Sequence, residues 1–137
     1  MGTTDSTPIS THPDISPAQL TELRAALESE RSVYERQALD LAAEADALMQ
    51  EREQGDVQFD EESGEGDTLS AERERDLMLS ATAQRSVDAI DAALERMELG
   101  TYGVCTRCAN PIPFERLEAI PEASMCIPCK SRLERRR

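Results

Sequence analysis

Leu20, Leu27, Tyr34, Leu41 and Leu48 recur at an unbroken interval of seven residues, with Leu23, Ala38 and Ala45 widening the same stripe. That interval is the signature of a coiled-coil seam on one long α-helix. Immediately before it, Ser16-Pro17-Ala18-Gln19 supplies a hydroxyl to cap the helix, a proline at the first helical position and a glutamine at the capping-box position. The helix is therefore expected to start there and run to about Glu53, roughly 55 Å at ~1.5 Å per residue. A helix of that length with one narrow apolar stripe needs a partner to cover it.

A second stretch can provide the partner. Gly55, Gly64 and Gly66 interrupt the periodicity, so 54–69 reads as a turn or tip. Ser70 can cap a second helix whose early carboxylates, Glu72, Glu74 and Asp76, suit the positive end of the helix dipole. Leu77, Ala81, Val87, Ile90, Leu94 and Met97 give it an apolar stripe, and Gly100 can close it in a left-handed conformation. An antiparallel hairpin within one chain is expected over 16–100. It is preferred to a homodimeric coiled coil, which would crowd the acidic charge side by side, so a monomer is expected.

Composition points the same way. Aromatic residues are 3% of the chain, tryptophan is absent and 31% of residues are charged, which leaves too little bulk for a thick core around an enclosed active site. No catalytic histidine, nucleophile elbow or phosphate loop is present, so no enzymatic activity is expected. The net charge of −13 argues against general binding of nucleic-acid phosphates. The charge is uneven: Glu51 to Asp76 holds eleven acidic and three basic residues, whereas Lys130 to Arg137 holds five basic and one acidic. Residues 1–15, rich in Thr, Ser, Pro and Asp, read as a disordered tail, and its lone His12 is not taken as a ligand. With neither a long apolar run nor a secretory signal, a soluble cytoplasmic protein without membrane contact is expected.

The chemistry-bearing motif lies in 101–137. Cys105 and Cys108 form one Cys-x2-Cys pair, and after seventeen residues Cys126 and Cys129 form another. Two residues between ligands let a tight knuckle aim both sulfurs at one ion, and this spacing falls within the range of four-thiolate zinc sites. An iron–sulfur cluster also accepts four cysteines, and a thioredoxin-like dithiol needs only one pair in a βαβ setting. A four-thiolate zinc is closed to activated water, so one structural Zn2+ is expected. Arg107, Arg116 and Lys130 are placed to steady its negative charge. Asn110-Pro111-Ile112-Pro113 reads as turn, Phe114, Leu117 and Ile120 as a minimal core, and Lys130 onward as a short basic helix.

Taken in order, Gly100-Thr101-Tyr102-Gly103-Val104-Cys105-Thr106-Arg107-Cys108, Pro111-Ile112, Arg116-Leu117-Glu118-Ala119-Ile120-Pro121 and Cys126-Ile127-Pro128-Cys129-Lys130, preceded by a helical hairpin, resemble the DksA/TraR zinc-finger family. The fold class expected is mainly α: a long antiparallel helical hairpin followed by a small four-cysteine zinc finger with a short C-terminal helix. The resemblance implies a regulator that binds RNA polymerase, not specific DNA sequences, and inserts the hairpin into the secondary channel. Acidic tip residues, here Asp60, Glu61, Glu62, Glu65 and Asp67, then lie near the catalytic centre, and Lys130, Arg132 and Arg135 supply basic contacts.

Two departures from the family pattern matter. Its Asp-x-x-Asp-x-Ala tip corresponds to Glu62-Ser63-Gly64-Glu65-Gly66-Asp67. Two of the basic positions that hold guanosine tetraphosphate in such proteins become Ala89 and Ile120, leaving only Lys130, so weak or absent synergy with that nucleotide is expected. Two competing readings remain at this level: a nucleic-acid-binding zinc ribbon acting through the basic tail, and a thiol/zinc redox sensor.

Overall fold

The computed structural model describes residues 12–55 and 64–136. Four helices follow in order: α1 (Pro17–Gly55), α2 (Gly64–Leu99), α3 (Phe114–Ala119) and α4 (Ile127–Arg135). Among the described residues there is no β-strand, only an isolated antiparallel bridge between Val104 and Pro111. The two long helices pair as a hairpin and the short ones belong to the finger. Among the described residues no helix is long and apolar enough to cross a membrane.

The ends of the hairpin form for local reasons. At the start of α1 the Ser16 N–H donates to Gln19 Oε1 at 2.9 Å and the Gln19 N–H returns to Ser16 Oγ at 3.1 Å, closing the expected capping box. Ile15 and Leu20, at the two staple positions that flank such a cap, are both buried. At the far end of α2, Gly100 sits at φ +79°, its N–H bonds the Met97 carbonyl, and the Thr101 N–H bonds that of Arg96. This paired closure is the Schellman motif, which a side chain at position 100 would strain.

Other boundaries differ from expectation. α2 begins at Gly64, six residues before the expected Ser70 cap, so Glu65 and Asp67 fall within its first turns. Residues 1–11 lie outside the described residues. The reading of the whole 1–15 stretch as a tail without structure does not hold for its last part, because His12 and Ile15 are buried.

The chain divides into two compact units. The first comprises Met1–Arg31 with Asp88–Arg137 and the second Ser32–Val87. In the first, Leu20, Leu23 and Leu27 of α1 and Ile90, Ala93 and Met97 of α2 are buried. Arg24 pairs with Glu98 at 3.1 Å and Arg31 with Asp91 at 2.6 Å. These pairs are partly exposed, so each is worth about 0–1 kcal/mol and the apolar seam supplies most of the stability.

In the second unit, apart from Val87 at its edge, the fully covered apolar positions of the seam are alanines. Ala38, Ala45 and Ala83 are buried, Tyr34, Leu41 and Leu48 only partly, and Ser80 Oγ donates across to the Ala38 carbonyl at 2.8 Å. Leu77 and Ala81, expected in this stripe, are exposed; Asp76 takes the inward position one residue earlier. Asp76, Ala83, Ile90 and Met97 thus carry the buried seven-residue spacing on α2.

Candidate metal centre

The finger is built around Tyr102, Ile112 and Leu117, each fully buried, and Ala123 is buried as well. Phe114 is only partly covered and Ile120 is exposed, so two of the three residues expected to form this core do not. Ile120 follows the last turn of α3, where its backbone N–H reaches back to the Arg116 carbonyl while its side chain is left outside. Tyr102 replaces that bulk. Its hydroxyl donates to the Pro121 carbonyl at 2.8 Å, and burial pushes the phenol well above its ordinary range despite the neighbouring Arg96.

Two short backbone pairings set the first knuckle. The Ile112 N–H donates to the Gly103 carbonyl at 2.7 Å and the Cys105 N–H to that of Asn110 at 2.9 Å. Between them the chain turns tightly: the Ala109 N–H bonds the Cys105 carbonyl at 3.0 Å, and Ala109 adopts φ +65°, a left-handed conformation that favours glycine. The second knuckle opens α4. Cys126 caps that helix, Pro128 sits in its first turn, and the Lys130 N–H bonds the Cys126 carbonyl at 3.0 Å. The Thr106 N–H donates to the Ser124 carbonyl at 2.8 Å, tying one knuckle to the other.

These turns bring the four predicted ligands together. The Sγ atoms of Cys105, Cys108, Cys126 and Cys129 all lie within 4.8 Å of one another. Cys108 and Cys126 are 3.7 Å apart, and the sulfurs of a tetrahedral zinc site with bonds of about 2.3 Å stand about 3.8 Å apart. No disulfide joins them, and all but Cys108 are buried. The cysteines are therefore grouped as a metal needs them, and four sulfur donors suit zinc.

Their acidities show why a cation belongs there. Burial raises the Cys105 thiol, but the backbone N–H groups of Cys108, Cys126 and Arg107 outweigh it and draw it down to about 6. Cys129 is pushed up to about 12, first by its hydrogen bond to Cys126, then by burial and the other two sulfurs. Unaided, the cluster eases ionisation of Cys105 and opposes that of Cys129. A divalent ion favours four. Of the cations expected to assist, Arg116 turns its Nε–H to the Met125 carbonyl at 3.2 Å and Lys130 is exposed; Arg107 contributes its backbone N–H, 3.4 Å from Cys105 Sγ.

A contact that spacing did not reveal involves His12. Its Nδ1 accepts the Asp14 N–H at 3.0 Å, so Nε2 carries the proton and donates to the Ile112 carbonyl at 2.6 Å. Gly103, at φ +86°, lets the ring approach; a Cβ there would stand 2.9 Å from His12 Cδ2. The histidine thus pins the segment before α1 onto the finger without acting as a ligand. Its signal in the sequence is slight, a single ring next to Ile15 in a polar stretch.

Of the other expected site residues, Lys130, Arg132 and Arg135 are exposed on α4. Glu65 and Asp67 fall on α2, whereas Asp60, Glu61 and Glu62 lie outside the described residues.

A helical hairpin carrying a four-cysteine finger defines the class: a small helical zinc-finger protein. The family described as prokaryotic dksA/traR C4-type zinc finger matches residues 100–135. Among curated relatives, the RNA polymerase-binding transcription factor DksA of Caulobacter vibrioides is 40% identical over 72 residues, covering 51% of each chain. General stress protein 16O of Bacillus subtilis is 36% identical over 67 residues, or 49% of this chain and 41% of that one. The chain spans about half or less of the length of these relatives. A solved structure of transcription factor DksA2 from Pseudomonas aeruginosa is 31% identical, covers 82% of this chain and 85% of that one, and superposes with a TM-score of 0.48. Residues 100–135 thus belong to the dksA/traR C4-type zinc-finger family.

Proposed function

We propose that this chain is a non-enzymatic transcription regulator that binds RNA polymerase and modulates initiation by inserting its hairpin into the secondary channel. The observation that carries this reading is the 40% identity to a relative named for binding RNA polymerase. One Zn2+ held by Cys105, Cys108, Cys126 and Cys129 shapes the finger and takes no part in chemistry, since four thiolates leave it no open position. The dense carboxylates of the 54–69 stretch supply the active end, with Asp60, Glu61, Glu62, Glu65 and Asp67 facing the polymerase and a basic channel drawing them in. Lys130, Arg132 and Arg135 add contacts from α4. The protein works as a cytoplasmic monomer, without membrane contact or sequence-specific DNA binding. Guanosine tetraphosphate adds little, because the side chains of Ala89 and Ile120 cannot pair a phosphate.

The test is co-purification with bacterial RNA polymerase at low salt, where charged contacts are strongest, followed by in vitro initiation assays. Retention on the polymerase is expected for the wild type. Changing Glu62, Glu65 and Asp67 to alanine, singly and together, is expected to keep binding and reduce the effect on initiation. Failure to bind overturns the reading; unchanged activity in every alanine variant removes the tip mechanism. A marked rise in effect on adding the nucleotide overturns the statement about synergy.

A further inference from the structure

Asp76 is the exception in the hairpin's seam. It occupies an inward position in line with Ala83, yet it carries a carboxyl group and is only 4% exposed. Its Oδ2 is sealed from solvent with no hydrogen-bond donor. The Arg73 Nε–H, one turn nearer the start of α2, is itself buried without an acceptor, so that N–H is not spent on Asp76. A buried anionic oxygen without a donor is costly.

The register of the second unit decides what faces it. Ser80 Oγ reaches the Ala38 carbonyl across the seam, and in an antiparallel pair one turn back on α2 meets one turn forward on α1. That places the Asp76 turn opposite the turn holding Glu44. The Glu44 carboxyl lies within hydrogen-bonding reach of Asp76, with Glu72 and Arg75 of α2 also acting on it. Two carboxylates so placed repel each other, whereas one proton on Glu44 turns it into the donor that Asp76 lacks.

We propose that Glu44 and Asp76 form a proton-dependent latch in the hairpin: a proton on Glu44 bridges the two helices, and its loss leaves the seam of the second unit locally weak. The acidity of Glu44 agrees in direction. It is raised first by the hydrogen bond to Asp76, then by that group's charge, by burial and by Glu72, against a lowering by Arg75. The sign follows by linkage. A carboxyl whose folded-state pKa is raised contributes stability that is present below its unfolded value and is lost as pH rises through the folded value. Protection of this stretch should therefore increase on acidification.

The experiment is amide hydrogen exchange on the full chain at pH 7.5 and at pH 5, normalised for intrinsic exchange, with the buried helical segments of the first unit as internal reference. In the wild type, amides of 38–48 and 70–83 are expected to gain about threefold or more in protection at the lower pH relative to that reference. Glu44→Gln supplies a permanent donor and is expected to show the higher protection at both pH values. Asp76→Asn removes the paired charge and is expected to lose the pH dependence as well. Equal protection at the two pH values in the wild type, a change shared equally by the first unit, or an undiminished pH dependence in either variant overturns the proposal. None of these readouts depends on polymerase binding.

Discussion

Replacing Tyr102 by phenylalanine removes one oxygen from the middle of the finger and little else. The ring remains in a fully buried site, so the apolar area is kept, but the 2.8 Å bond to the Pro121 carbonyl is lost and that acceptor is left without its donor. Losing one partner of a buried hydrogen bond costs about 1–3 kcal/mol, and this geometry places Tyr102→Phe near the middle of that range. For a chain of 137 residues this corresponds to a fall in melting temperature of about 4–8 °C. The assay is thermal and urea unfolding of the zinc-loaded protein followed by circular dichroism.

Alkaline titration provides a second readout. The Tyr102 phenol is raised by burial, so its contribution to stability is complete below the unfolded pKa and is lost as pH climbs through the higher folded value. With two tyrosines in the chain, part of the phenolate absorbance should appear only when the protein unfolds in alkali, and Tyr102→Phe should delete that delayed part. A variant as stable as the wild type, with the delayed absorbance retained, would refute the assignment of Tyr102 as the hydrogen-bonded centre of the finger.

Three further outcomes are expected. Ala109→Gly relieves a left-handed residue at φ +65° at the cost of a more flexible unfolded chain, for a net gain of about 0.5–1 kcal/mol in urea unfolding; a loss would mean that the Ala109 methyl group packs favourably. Gly103→Ala should destabilise by about 1–3 kcal/mol, because the new Cβ meets His12 Cδ2 at 2.9 Å and the backbone is at φ +86°. Combining it with His12→Ala should recover the steric part alone, and strict additivity in that double-mutant cycle would contradict the contact. Elemental analysis should find one zinc per chain. Cys105→Ser or Cys129→Ser should reduce it sharply, and a chelator should lower the melting temperature of the wild type but not of those variants.

Much of the architecture was legible because its causes are local. The capping box at Ser16 and Gln19 formed as read, since both partners lie within one turn of each other. Gly100 closed α2 because few side chains tolerate its φ. The cysteine knuckles met because two intervening residues leave only tight turns that direct both sulfurs the same way. Of the α2 stripe, Val87, Ile90 and Met97 are buried as expected, whereas near its start Leu77 and Ala81 are exposed and Asp76 faces inward. Adjacent helical positions differ by about 100°, and an Ala- and Leu-rich pattern cannot say which of them faces the partner until the register of α1 is known.

Spacing along the chain thus determined the helical hairpin, the four-cysteine cluster and the family that the finger matches. Contacts between distant segments decided the rest: His12 lies against Ile112 and Gly103, Tyr102 in place of Ile120 centres the finger, and Asp76 in place of Leu77 turns into the seam beside Glu44. The physical reason is that a ligand spacing or a cap is fixed by bonds a few residues long, whereas burial of a single side chain depends on what another part of the chain brings to cover it.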